Sequence, residues 1–200
     1  GEPYELFDAK QMREITGSSH YEDGLFTPGT AMIQPAMYVR GVADGLRQDG
    51  VTIYENSPVT ALNNDGNWVA ETQQGQVSSA NVILAVNGHL NSFGYAKSRL
   101  MHVFTYASMT RALTPQEIGK LGGNPVWGLT PADPVGTTVR RISGTGGDRL
   151  IIRNRFTFDP TMEVNPKRIA KIGYDHDTSF LQRFPDLSNV TMEYRWGGRL

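Results

Sequence analysis

The stretch Val82-Ile-Leu-Ala-Val-Asn-Gly-His-Leu90 decides how this chain is read. An unbroken apolar run follows Asn81 and stops abruptly at Asn87-Gly88. A strand buried on both faces is a continuous apolar run rather than an alternation, so residues 82–86 predict a core strand. A glycine just past its carboxyl end lets the backbone approach a ligand closely, because no Cβ intervenes. In open α/β sheets ligands lie outside the carboxyl ends of the strands. A core strand ending in an ordinary turn would carry the same residues, so the surrounding chain has to decide.

Working back from Val82, the chain arrives through a β-meander. Asn64-Asp-Gly-Asn67 is a strong turn signal, residues 68–73 alternate, and Gln74-Gly75 turns the chain again into Gln76 to Ser79. Before the meander, Ser57-Pro-Val-Thr-Ala-Leu62 reads as extended and Val51-Thr-Ile-Tyr54 as a strand. Pro35 suits the first position of a helix whose apolar face is Val39, Val42, Ala43 and Leu46, and Gly50 ends it. Further upstream, Asp8 to Ile15 reads as a short helix with Asp8 as N-cap and Gly17 as its stop. A Gly/Ser/Thr-rich loop with a turn at Pro28-Gly29 links the two helices.

Working forward, the character changes after Gly94. His102 to Met109 is a long β-rich run, and Thr114-Pro-Gln-Glu117 is a capping box opening a short helix closed by Gly122-Gly123. Val139 to Ser143 and Leu150 to Phe156 predict a hairpin around Gly144-Thr-Gly-Gly-Asp148. Asn165-Pro166 starts a longer helix with apolar positions Ile169, Ile172, Phe180, Leu181 and Phe184, and a last strand covers Val190 to Trp196. The second half is therefore an antiparallel sheet with helices packed on it, not a βαβ array.

Composition narrows the function. Net charge is −1 with no long run of one sign, which gives no support to a nucleic-acid or membrane-surface role. No apolar stretch approaches the roughly 18 residues of a membrane span, and no secretory signal opens the chain. Cysteine is absent, which excludes disulfides, thiolate metal sites and a cysteine nucleophile and fits a cytoplasmic setting. The opening Gly-Glu-Pro-Tyr and the ending Tyr194-Arg-Trp-Gly-Gly-Arg-Leu200 lead us to expect a piece of a longer protein.

Several motifs invite chemistry. Gly144-Thr-Gly-Gly-Asp-Arg149 lacks both the Lys-Ser/Thr of a phosphate loop and a following helix, so a hairpin turn is expected. Adjacent residues of a helix point apart, so Asp175-His-Asp177 cannot converge on one metal ion and reads as a solvated face. No metal site is expected. No Gly-x-Ser-x-Gly or His-Glu-x-x-His occurs, so hydrolase chemistry has no positive sign. Asn189-Val-Thr191 fits a glycosylation acceptor but falls in an expected strand. His20, His89, His102 and His176 are dispersed; His89, next to Gly88, is either a site residue or a polar loop residue. Arg140, Arg141, Arg153 and Arg155 crowd the hairpin, where they either line a pocket and grip a carboxylate or form a charged outer face.

The order of these pieces resembles the middle of an FAD-dependent oxidoreductase of the D-amino-acid oxidase, glycine oxidase and sarcosine oxidase superfamily. The resemblance is carried by Gly24-Leu-Phe-Thr-Pro-Gly29, Gln34-Pro35, Ala43-Asp-Gly-Leu-Arg47, Gly50-Val-Thr-Ile-Tyr54, Ser57-Pro-Val59, Trp68 to Gly75 and Val82 to Leu90, in that succession. The β-rich run from Met101 resembles the family's substrate domain, and Trp196-Gly-Gly198 resembles its Trp-x-Gly near the C-terminal flavin segment. The resemblance implies an α+β fold. Residues 1–34 and 95–200 would form a substrate-binding domain, an antiparallel or mixed sheet with packed helices. Residues 35–94 would form a partial FAD-binding domain of helix, strand, β-meander and strand.

The resemblance also implies roles. Val59 would meet the adenine end of FAD through its backbone, and Ala85, Val86, Asn87 and Gly88 would pass the cofactor's phosphate and ribityl region. Tyr106 would wall the substrate pocket, Arg140 or Arg199 would anchor a carboxylate, and His89 would border the site. Arg199 is out of register with the arginine some relatives carry after Trp-x-Gly. The substrate would be an amine or amino acid, with oxidation at the carbon bearing nitrogen. The Gly-x-Gly-x-x-Gly loop that binds the pyrophosphate is not in this sequence, nor is the C-terminal flavin segment, so the chain alone is expected to retain little FAD and to lack turnover. A self-contained α+β ligand-binding or interaction module without cofactor is the alternative.

Overall fold

Each α-helix starts where a side chain satisfies otherwise orphaned backbone donors. The computed structural model describes residues 1–163 and 165–199. Strand β1 (Glu5–Asp8) runs into helix α1 (Ala9–Thr16), where Asp8 and Gln11 form a reciprocal capping box. Gly17 closes α1 in the left-handed region at φ 72°, and a Cβ there would collide with the carbonyl of Leu121. Strand β2 (Asp23–Phe26) pairs antiparallel with β1, and helix α2 (Pro35–Gln48) begins at Pro35 under a Gln34 cap. The meander β3 (Ala61–Asp65), β4 (Asn67–Thr72) and β5 (Gly75–Ser79) follows, then a 3-10 helix over Asn87–Phe93. Strand β6 (Val103–Thr110) leads to helix α3 (Pro115–Leu121), opened by the Thr114/Glu117 capping box. Strands β7 (Trp127–Leu129), β8 (Thr138–Ile142) and β9 (Arg149–Phe158) precede helix α4 (Pro166–Arg183), capped by Asn165. Strand β10 (Met192–Arg199) ends the described chain; Leu200, expected to continue the terminal stretch, lies outside the described residues.

Contacts divide the chain into two units, Gly1–Met32 with His102–Leu200, and Ile33–Met101. In the first, five strands form an antiparallel sheet in the order β10-β6-β9-β8-β7. Helix α4 covers one face of it. Phe104, Tyr106 and Ile172 form one cluster on that side; Val139, Leu150, Ile152, Phe180, Phe184 and Leu187 anchor another, with Trp127 and Leu121. Val139, Leu150 and Ile152 are completely buried, each contributing about 1.5–3 kcal/mol of transfer free energy. Ile172, His176 and Phe180 fall four apart and form the sheet-facing stripe. Leu181, expected on that stripe, is exposed because it sits one residue around from Phe180. Gly173 lets β10 come close: Arg195 donates to its carbonyl at 2.6 Å, and a Cβ would lie 2.6 Å from Arg195 Nη1.

The second unit contains α2 and the meander, whose tight turn pairs Asp65 with Asn67. Two expected strands are not formed. Residues 51–54 and 82–86 have no ladder partner among the described residues, and Ile83 is 91% exposed. An apolar run becomes a strand only when a neighbouring strand takes its hydrogen bonds.

Candidate active-site face of the five-stranded sheet

Register sorts the side chains of β6 onto two faces. Phe104, Tyr106 and Ser108 point to α4. Thr105, Ala107 and Met109 point the other way, opposite Gly198, Trp196 and Tyr194 on β10 and Phe156, Arg153 and Ile151 on β9. The same face continues through Thr138 and Arg140 on β8 to Gly128 on β7. One row across it reads Gly128, Arg140, Ile151, Met109, Tyr194; the next reads Thr138, Arg153, Ala107, Trp196. Ala107 and Thr138 are small and buried, so Arg153 stands between two low points of the surface.

Tyr106, expected to wall the pocket, is 2% exposed on the α4 side, its hydroxyl 2.7 Å from Thr157 Oγ1. Its neighbours Thr105 and Ala107 supply the opposite face. Arg140 lies on that face. Arg199 is exposed at the end of β10, opposite Phe104 in register. His89 belongs to the 3-10 helix of the second unit, as do Asn87 and Gly88; Asn87 has φ 49° and follows the unladdered 82–86 segment. Ala85 and Val59 are exposed in the same unit and Val86 is half-buried.

The arginines separate by their partners. Arg141 is buried, donates to the carbonyl of Gly122 and lies 3.7 Å from Asp148. Arg149 meets Glu193, Arg155 meets Asp175 at 3.1 Å, and Arg195 takes both oxygens of Asp177 at 2.7 and 2.8 Å. Arg140 and Arg153 meet no carboxylate among the described residues. Like charges brought together across a ladder destabilise by a few tenths to about 1 kcal/mol. The two are diagonal neighbours, since Arg140 opposes Ile151 and Arg153 opposes Thr138. Arg153 Nε and Thr105 Oγ1 are both buried without a hydrogen-bond partner among the described residues.

On the α4 side a different network forms. His176 Nδ1 lies 2.7 Å from Ser108 Oγ, and Arg195 links Ser108, Gly173 and Asp177. Burial lowers His176 to about 4, against Asp175 and Asp177, which act to raise it. The expected solvated face at Asp175-His-Asp177 therefore fails at His176, because residues 172, 176 and 180 share the sheet-facing stripe. No group of His, Asp or Glu suited to hold a metal occurs among the described residues. No described helix is long and apolar enough to cross a membrane.

The sequence model of the family described as FAD dependent oxidoreductase matches residues 1–200. Gamma-glutamylputrescine oxidoreductase of Escherichia coli (strain K12) is 35% identical over 201 residues, covering 97% of this chain and 44% of that protein. Probable oxidoreductase OrdL of Rhizobium meliloti (strain 1021) is 26% identical over 206 residues, covering 99% and 44%. Among solved structures, glycine oxidase from Geobacillus kaustophilus superposes with a TM-score of 0.74 at 16% identity, covering 100% of this chain and 51% of that one. NikD, described as an unusual amino acid oxidase essential for nikkomycin biosynthesis, gives 0.70 at 16% identity, covering 98% and 52%. The chain thus spans about half the length of the relatives it matches.

Proposed function

Because the chain belongs to the FAD dependent oxidoreductase family, we propose that it is the central part of an enzyme that oxidises an amine or amino acid. The observation that carries the substrate class is the 35% identity, along nearly the whole chain, to a protein named for oxidising gamma-glutamylputrescine. When bound, FAD would supply hydride acceptance at the carbon bearing nitrogen, leaving an imine that water would hydrolyse to a carbonyl compound and free amine or ammonia.

The residues of this chain fit one side of such a cofactor. Residues 82–86 have no ladder partner among the described residues, and Asn87 at φ 49° turns the chain where Gly88 follows. We assign Ala85, Val86, Asn87 and Gly88 to the phosphate and ribityl region, Val59 to the adenine end, and His89 to the border of the site. The 200 residues hold no Gly-x-Gly-x-x-Gly loop, so the pyrophosphate must be held chiefly by other parts of the protein. On this reading the unit Ile33–Met101 is assigned to the cofactor and the five-stranded sheet to the substrate. Arg140 is the candidate that holds a substrate carboxylate. Arg199 stands at the end of the last strand, and the placement of Tyr106 supports a packing role for its ring rather than a pocket wall.

The test is a panel of D-amino acids, N-methyl amino acids and polyamine derivatives given to the full-length protein, with carbonyl product trapped by a hydrazine. Product from at least one class supports this reading; none from any class, with FAD bound, contradicts it.

A further inference from the structure

We propose that the cleft between the C-terminal ends of α1, α3 and α4 is a binding site for a phosphate group. Arg13, Lys120 and Arg183 line it, one from the last turn of each helix, together with Ser18, Ser19 and Asp186. Its volume is about 50 Å³, against the roughly 10–15 Å³ that a single water needs. A group of several heavy atoms therefore fits. Leu121, Phe184 and Leu187 also line the cleft and belong to the cluster of Val139 and Ile152. The cleft thus lies on the α4 side of the sheet, away from the face that carries Arg140.

A basic residue in a helix's last turn ordinarily serves the orphan carbonyls and the negative end of the dipole. Here other donors already hold those carbonyls. Gly17 N donates to Arg13 O and Asn124 N to Ile15 O, both at 2.8 Å. Gly122 N donates to Ile118 O at 3.0 Å, and Ser18 Oγ to Arg183 O at 2.5 Å. The junction is tight: a Cβ on Gly123 would lie 2.5 Å from the Ile15 carbonyl oxygen. The side chains of Arg13 and Lys120 make no hydrogen bond and no ion pair among the described residues. Arg183 donates from Nη1 to Ser179 O at 3.0 Å, while its Nε is buried without a partner among the described residues. Its charge is felt nearby: burial lowers His20 below its ordinary value, and the Arg183 guanidinium lowers it further. Against these three cations the lining holds one carboxylate, Asp186, exposed and in ion-pair contact with none of them. Three positive charges less one negative leave an excess of two, which a phosphate group of about −1.5 to −2 at pH 7 balances. Its tetrahedral oxygens can be met from three directions, by two guanidinium forks and an ammonium, where a planar carboxylate offers fewer.

The experiment is equilibrium dialysis of the full-length, FAD-loaded protein against radiolabelled inorganic phosphate, with chloride holding the ionic strength constant and the flavin spectrum followed throughout. Binding should saturate at about one phosphate per chain with the flavin retained. Arg13→Met and Lys120→Met should each weaken it about three- to tenfold, as expected for one partly exposed charge-assisted contact. The double variant should bind none measurably. Neither side chain makes a bond within the protein, so the thermal midpoint without phosphate should stay where it is in both variants. Asp186→Asn removes the opposing charge and should tighten binding a few-fold. Glycerol phosphate that competes with the label would assign the cleft to a small phosphomonoester, and failure to compete would assign it to the free ion; both outcomes support the site. Unsaturable binding overturns it, as does equal affinity in the Arg13→Met/Lys120→Met double variant or weaker binding in Asp186→Asn. Phosphate that binds only as FAD is released would place the ion at the cofactor and overturn it too.

Discussion

His176 is a basic side chain that its position on α4 keeps neutral. It is 1% exposed, and its pKa of about 4 lies below the ordinary 6.5 because burial disfavours the cation. Arg195 opposes protonation as well, while Asp175 and Asp177 favour it; Ser108 faces it from β6 as a neutral partner. The unfolded chain takes up a proton near 6.5 and the folded chain does not. This group's contribution to stability is therefore complete above about 6.5 and falls away as pH drops towards 4. His176→Asn should be less stable at neutral pH yet lose less stability between those two values, as urea unfolding across the range would show. An equally steep loss in the variant would assign the acid sensitivity elsewhere. From the sequence, Asp175-His-Asp177 was legible only as three residues pointing apart. Which of the three points inward depended on α4 finding the sheet.

The β6–β9 register shifts between Thr105 and Tyr106, a bulge at Arg155 of β9 that decides which face of the sheet Phe156 joins. Period-two alternation places Asn154 and Phe156 on one face, and the hairpin 139–156 was legible at that level. The inserted residue breaks the alternation, so the side on which Phe156 stands was not legible. Arg155 carries the strain of a non-glycine residue at φ 67°, of order 1–3 kcal/mol, and its ion pair with Asp175 is largely exposed. Arg155→Gly should accordingly be neutral or stabilising by up to about 1 kcal/mol, with the fold intact. A β-branched Arg155→Val should destabilise by at least about 1 kcal/mol. Urea midpoints in the order Gly, wild type, Val support a bulge that is built in; a flat series contradicts it. The helix starts show the opposite case. Asp8, Thr114/Glu117 and Asn165-Pro166 were legible because capping is satisfied within four residues of chain. There the partner is local.

At the scale of the whole molecule the two units are unlike. The first has its own buried clusters, whereas α2 has no buried residue and Met37, Tyr38, Val39 and Val42 are exposed along it. The run 82–86 tells the same story: its apolar residues say that the segment is to be buried, but not by what. That is why the strand was expected and is not formed among the described residues, although the family resemblance it supported holds along the whole chain. A unit this open should grip FAD poorly by itself. The purified 200-residue chain, mixed with FAD and desalted, should keep well under one flavin per chain; stoichiometric retention would contradict the assignment of the pyrophosphate to other parts of the protein. The most direct test of the central claim is anaerobic mixing of the full-length flavoprotein with carboxylate-bearing amines, following the flavin absorbance. We predict bleaching by at least one such amine, slowed at subsaturating substrate in Arg140→Met. A flavin that dithionite reduces but no amine bleaches would contradict the account.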